Sequence, residues 1–448
     1  MQYALLSARA SPCRLRTAVA MAVLFVVVAG GCLPEQVESG PPTVVLAGWG
    51  NPEEVQLAYD IINGFMAENP AYRARFLHIP YNYDLVLLTM MAGGSAPDVF
   101  YIGPTMLQSL VSKGVLMNIE ERVAQSTVIG LSDYFPQTVS PYRYDGHEFG
   151  QGPLYGLCKD WSPDFLVFYN KDLFREAGLD IPDGTWDRET FLDAAKRLTR
   201  RDDKGRIIQF GVYNNCDARQ WVIQSGGQVY SEDFNRCTLN EPAALEGLQF
   251  AADLTLKWRV APNLAEQAQS AVNVMFETGR VAMCFYGMWF VPQFTKHIKD
   301  FEWSVTTPPL HVRDIYLSAG MIGYGISAKT KHPEAAWAFF EYLQGPKGQE
   351  QLADIGWNIP ASSVVAYGPH FLGNPDHDRE IIEVFLEAVK KTVFIQLNPY
   401  ITQQEFDLYF LPEWDLVLLG ERSVKDAMDT VAAKVNQAIA DNRALMGK

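Results

Sequence analysis

Between Thr43 and Met91 the chain twice follows an extended apolar run with a segment of helical spacing. That order restricts the fold more than any other feature of the 448 residues. TVVLAGWG (43–50) is β-rich and ends in glycines, as a buried strand entering a loop should. From Glu53 to Glu68, Val55, Tyr59, Ile62 and Met66 recur at helical spacing, with Ile61 and Phe65 beside them, and Asn69-Pro70 ends the helix. RARFLHIP (73–80) reads as a second strand and 83–91 as a second apolar helix. Strand, helix, strand, helix makes βα units, so an α/β chain with mostly parallel sheets flanked by helices is expected. Further helices are expected over Thr185–Leu198, capped by Thr185 or Asp187, and from Asn240-Glu241-Pro242 to about Trp258. Two more should start at Pro333 and at Ser423, where Asp426 completes a capping-box-like opening and Val424, Met428, Val431 and Val435 form one stripe.

This length exceeds one ordinary core and suits two domains. A net charge of −15 argues against nucleic acid, which requires a basic footprint. The first 31 residues are a separate object. Arg9, Arg14 and Arg16 precede the apolar run AVAMAVLFVVVAG, which is short for a membrane span and is followed by small residues, as in a secretory signal peptide. AGGC, ending at Cys32, resembles a bacterial lipoprotein box with Cys32 as the lipidated residue. It departs from that box in carrying Ala29 where a large aliphatic residue is usual, and ordinary cleavage with a free cysteine is the alternative. Residues 32–42 would then be the lipidated cysteine and a polar, proline-rich tether. Of the remaining cysteines, Cys216 and Cys237 are the favoured disulfide pair for an exported chain; four buried free thiols are the other reading. No CxxC or Cys/His cluster points to a metal, and no cofactor is expected.

Motifs for catalysis are missing. There is no GxSxG elbow and no phosphate-binding GxxxxGK[ST] loop, and His147-Glu148 lacks the second histidine of HExxH. Gly323 to Ala328 matches GxGxxA, but the next helix starts too late for its N-terminus to hold a phosphate, so the match is read as a decoy.

Several stretches, in order, resemble the family-1 extracellular solute-binding proteins of ABC importers, the group that includes maltose-binding protein. They are FMAENPAYRARF with MAGGSAPDVFYIG, then PLYGLCKDWSPDFLVFYNKDLFREAGLDIPDGTWDRETFLDAAKRLT, then FETGRVAMCFYGMWF, then GYGISAKTKHPEAAWAFFEYLQGPKGQE and NIPAS. Together they cover most of the chain from about 43 to 440. The resemblance implies a type II binding-protein fold with two α/β lobes joined by crossing strands. Mapped here, lobe one takes 43–158 plus 319–365 and lobe two takes 159–318 plus 366–448. It further implies a monomer that is no enzyme, captures a sugar in the cleft and delivers it to a permease in the membrane. Alternatives are a non-sugar solute (polyamine, phosphorylated polyol or peptide), an exported glycan-active enzyme, or a sugar-sensing lipoprotein.

Aromatic rings cover the C–H faces of a sugar while polar side chains take its hydroxyls. Trp289 occupies the tryptophan position of the family's "G.W" segment, with Gly287 ending the strand and Tyr286 beside it. Trp49 and Asn51 follow the first strand, and Tyr81, Asn82 and Tyr83 the second, at the edge where α/β sheets place ligands. Asp98 sits in APDV, Asp160 and Trp161 at the first crossing between lobes, and Gly320 and Tyr324 at the second. Trp221 after a presumed strand and Trp357 before NIPAS complete the candidates.

Overall fold

β1 (Thr43–Gly48) forms as expected and buries Val44, Leu46 and Ala47. α1 (Pro52–Glu68) starts at a reciprocal cap: the Asn51 side chain accepts from the backbone N–H of Glu53 and Glu54, each at 3.0 Å, while Glu54 accepts from the Asn51 N–H at 2.8 Å. The face of α1 carrying Ala58, Ile61, Ile62 and Phe65 then packs on the sheet. β2 (Arg73–His78), α2 (Tyr83–Ala92) and β3 (Val99–Ile102) continue the alternation. The computed structural model describes residues 40–318 and 320–445, so the leader, Cys32 and nearly all of the tether lie outside the described residues.

Two larger sheets organise the chain from Pro41 onward, which is one compact unit. The first also takes β4 (Gly156–Trp161), β9 (Ile322–Ile326) and β10 (Ile359–Pro360), in the order β10-β4-β9-β3-β1-β2. The second consists of β6 (Met283–Tyr286), β5 (Leu166–Asn170) and β7 (Trp303–Thr306), in that order. A short parallel pair, β8 (Tyr316–Ser318) with β11 (Thr392–Phe394), lies apart from both.

The sheets are less parallel than the sequence suggested. β1 runs parallel to β2 and β3, but β9 is antiparallel to β3 and β4, β10 is antiparallel to β4, and the β6-β5-β7 sheet is antiparallel throughout. The βα rule holds only where strand and helix alternate. β4 leaves the first sheet for the second and β9 returns, so they run in opposite senses. The GxGxxA match lies on β9, where a Cβ at Gly323 would stand 2.2 Å from the Leu157 carbonyl oxygen. That glycine permits close strand packing and has nothing to do with phosphate.

Asp187 proves to be the cap of the helix Arg188–Leu198. The helix Pro242–Leu256 stops short of Trp258, and Arg259, at φ +52°, turns the chain. Its apolar face meets the antiparallel helices Gln403–Leu418 and Val424–Leu445 in a separate cluster of buried side chains. The expected disulfide is not formed. Cys216, in the turn before the helix Ala218–Gln224, belongs to one cluster and Cys237 is buried in another, and both are free thiols, as are Cys158 and Cys284. No helix of the described residues is long and apolar enough to cross a membrane.

Candidate ligand site

Over the inner strands of the six-stranded sheet, Tyr101 on β3, Lys159 and Asp160 on β4, Tyr324 on β9, Glu54 in the first turn of α1, and Trp357 with Asn358 line a pocket. Its apolar wall comes from α1 and the helix Pro346–Ile355, through Leu57, Ile61, Leu352 and Ile355. Tyr101 and Tyr324 meet edge to face at 5.5 Å. The Lys159 ammonium lies 5.4 Å from the Tyr101 ring centre and pairs with the Asp160 carboxylate, which also accepts from Asn358 Nδ2 at 3.3 Å.

The electrostatics follow from burial. Removal from water alone would lower the Lys159 pKa, but Asp160 more than offsets this and the ammonium stays above its ordinary range. Burial raises the Glu54 carboxyl, with Lys159 pulling the other way, and raises the Tyr101 phenol to about 12. The pocket therefore holds two carboxylates, one ammonium and aromatic surface, a set able to bind hydroxyl groups in either hydrogen-bonding sense.

Trp49 adjoins this pocket through Tyr101. Its half-buried indole stands edge-on to Tyr101 at 5.2 Å and to Tyr83 at 4.6 Å. A second aromatic group gathers at the end of β6. The Tyr286 and Phe290 ring centres lie 3.7 Å apart with their planes tilted by 34°, and the half-buried Trp289 indole folds back over Gly287, where a Cβ would come within 1.9 Å of the ring. The Met288 N–H donates to Ser162 Oγ at 2.9 Å, tying this turn to the segment that follows β4. Nearby, Asp164 Oδ2 accepts from the Gly320 N–H at 2.6 Å and links the two crossing segments. Gly320 thus lies against a carboxylate of the crossing, whereas Tyr324 walls the pocket.

Of the expected site residues, the structure brings Asp160, Tyr324 and Trp357 into one pocket and joins Trp49 to it, while Tyr286, Gly287 and Trp289 form the second group. Asn51 is committed to its helix cap. Tyr81 is 81% exposed, and Asn82 beside it holds a left-handed backbone at φ +49°. Four expectations are corrected. Trp221 has no exposed surface, being enclosed by Phe191, Phe250 and Phe285 within the helix Ala218–Gln224, whereas a place just after a strand was expected. Trp161 is likewise fully buried, against Phe135, and does not line the pocket. Tyr83 is a buried prop whose hydroxyl is shared between the carbonyls of Ala47 and Tyr101, at 3.2 and 3.0 Å. Asp98 accepts from the Val45 N–H at 2.9 Å and from the Thr330 hydroxyl, so its carboxylate holds the start of β3 in place.

Lys159, Glu54, Tyr101 and Asn358 escaped the sequence reading. Only Lys159 left a signal, as a cation next to Asp160 inside a buried strand. Residues 50–350 match the bacterial extracellular solute-binding proteins. The chain belongs to this family. Among curated solute-binding relatives, the arabinooligosaccharide-binding protein of Halalkalibacterium halodurans is 25% identical over 411 residues, covering 86% of this chain and 88% of its own. The multiple sugar-binding protein of Streptococcus mutans is 22% identical over 318 residues, covering 66% and 69%. Two solved solute-binding proteins share the fold. The ABC substrate-binding protein of Listeria monocytogenes in complex with cycloalternan superposes with a TM-score of 0.76 at 22% identity, over 91% of this chain and 99% of that one. The sugar-binding protein MalE of Xanthomonas citri gives 0.75 at 20%, over 91% and 99%. These likenesses establish the two-lobed type II binding-protein architecture.

Proposed function

We propose that this solute-binding protein captures a sugar, a mono- or oligosaccharide, between its two lobes and delivers it to the permease of an ABC importer. The observation carrying this reading is the pocket over the inner strands, where Tyr101 and Trp357 supply ring surface beside Asp160, Lys159, Asn358 and Glu54. Aromatic surface next to a mixed set of donors and acceptors suits a ligand with apolar faces and a hydroxylated rim. Sugars in the names of several relatives point the same way. In this reading Trp49 extends the pocket from the first lobe, and Trp289 with Tyr286 closes on the ligand from the second. The lobe boundaries are near 158 and 318, the two crossing segments joined by Asp164 and Gly320 act as the hinge, and Cys32 carries a lipid anchor on the outer face of the membrane. Specificity resides in the cleft and transport energy comes from other subunits, with the protein acting as a monomer.

Titration of the chain from residue 33 with mono- and oligosaccharides, read by tryptophan fluorescence and melting temperature, tests the proposal. A saturable spectral change with stabilisation by one sugar class is expected. Response to polyamines, phosphates or peptides, with none to any sugar, would keep the family and overturn the ligand.

A further inference from the structure

We infer that Asn358 sets specificity in this pocket, its side-chain oxygen accepting a hydrogen bond from a ring hydroxyl of the bound sugar. The inference rests on the sugar-binding reading above. Asn358 follows Trp357 and leads into β10, and both residues line the pocket with Glu54, Lys159 and Asp160. Asn358 Nδ2 donates to Asp160 Oδ1 at 3.3 Å. A carboxylate only accepts, so turning the amide over would set oxygen against oxygen; the partner fixes the orientation. Oδ1 is thereby left buried, with no hydrogen-bond partner among the described residues.

A buried acceptor calls for a donor, water in the free protein or a ligand hydroxyl in the complex, and a ligand that displaces the water without bringing a donor leaves the oxygen stranded. Ligands differing by a single hydroxyl are then separated by more than a lost contact, because the wrong one leaves the amide oxygen stranded. The neighbouring groups narrow the chemistry further. Lys159 and Asn358 both bind Asp160, so an ammonium that donates and an amide oxygen that accepts stand beside one carboxylate. A sugar ring on Trp357 with two adjacent free hydroxyls matches this pair, one donating to Asn358 and the next accepting from Lys159. The pocket is thus a reader of vicinal diols.

The near-isosteric variant Asn358→Leu, made in the mature chain, tests this. Melting temperature is measured without ligand, and affinity by calorimetry with maltotriose and arabinotriose. The free variant should melt at the wild-type temperature or slightly above it, while binding of the trisaccharide that the wild type accepts weakens by about tenfold or more. Monodeoxy analogues of that trisaccharide should lose the same factor on the wild type at one hydroxyl and nothing further on the variant. Unchanged affinity, or a free variant that melts several degrees lower, would overturn the assignment, since the amide would then be a structural support. Blank titrations of the wild type with both trisaccharides and with the whole mono- and oligosaccharide series would instead overturn the sugar reading and this inference with it.

Discussion

Two tryptophans separate contact from packing at the scale of the residue. Trp289 is half-buried, and its indole rests on a backbone with no side chain at Gly287. Trp289→Ala should leave the melting temperature nearly unchanged and raise the sugar Kd by about tenfold or more, read by calorimetry. Trp221 fills the space between Phe191, Phe250 and Phe285, so Trp221→Ala should cost about 3–5 kcal/mol in a denaturant titration. Glu54 gives a pH test. Burial raises its carboxyl above the ordinary 4.5, so the folded state binds that proton more tightly than the unfolded chain does. The stability tied to Glu54 is complete below that value and lost as pH rises through the folded one. Glu54→Gln keeps an oxygen for the Asn51 N–H and should melt slightly higher than wild type at pH 7. The difference should vanish near pH 4; a lower melting temperature at pH 7 would mean that the charge itself supports the helix start.

Single elements show how far the sequence could be read. α1 was legible because its apolar spacing and its terminating Asn69-Pro70 agree, whereas its cap, Asn51, reads from sequence as a ligand candidate. Trp221 and Trp161 were misread because nothing local distinguishes a tryptophan at a cleft from one in a core; the three phenylalanines around Trp221 come from distant parts of the chain. Asn358 left no trace, since an orphaned oxygen exists only once β4 stands beside it. Where an element is held by long-range polar contacts, the same distance makes it testable. Glu413, buried in the helix Gln403–Leu418, receives Arg422 from the turn and Lys434, at 3.0 Å, from the helix Val424–Leu445. Burial opposes its charge, but the two cations lower its carboxyl below the ordinary range. Its contribution is therefore present above about pH 4.5 and lost as pH falls below it. Glu413→Gln should destabilise by about 1–3 kcal/mol at pH 7 in urea unfolding and by progressively less in acid.

Across the whole molecule, one ion pair offers a handle on closure. Glu53, beside the cap of α1, lies 3.8 Å from Lys296 on the helix Val291–His297, which follows the turn carrying Trp289. Both groups are exposed, so the pair is worth at most about 1 kcal/mol. In the proposed closed state it joins the lobes at the mouth of the cleft. Lys296→Glu should therefore speed ligand release by about threefold at low salt in stopped-flow fluorescence, Glu53→Lys combined with it should restore the rate, and 1 M salt should erase the difference. A variant whose release is unchanged at low salt would place this contact outside the closing motion.

The strand order of the first sheet also has a consequence for how the chain is made. β3 pairs with β9, and β4 with β9 and β10, so its middle and one margin wait for residues 322–326 and 359–360. A chain leaving the ribosome N-terminus first presents β1, β2 and β3 while the whole of the second sheet is still being made, with the outer backbone of β3 unpaired throughout. Such an open edge invites pairing with the wrong strand. The sheet begun first is the sheet completed last.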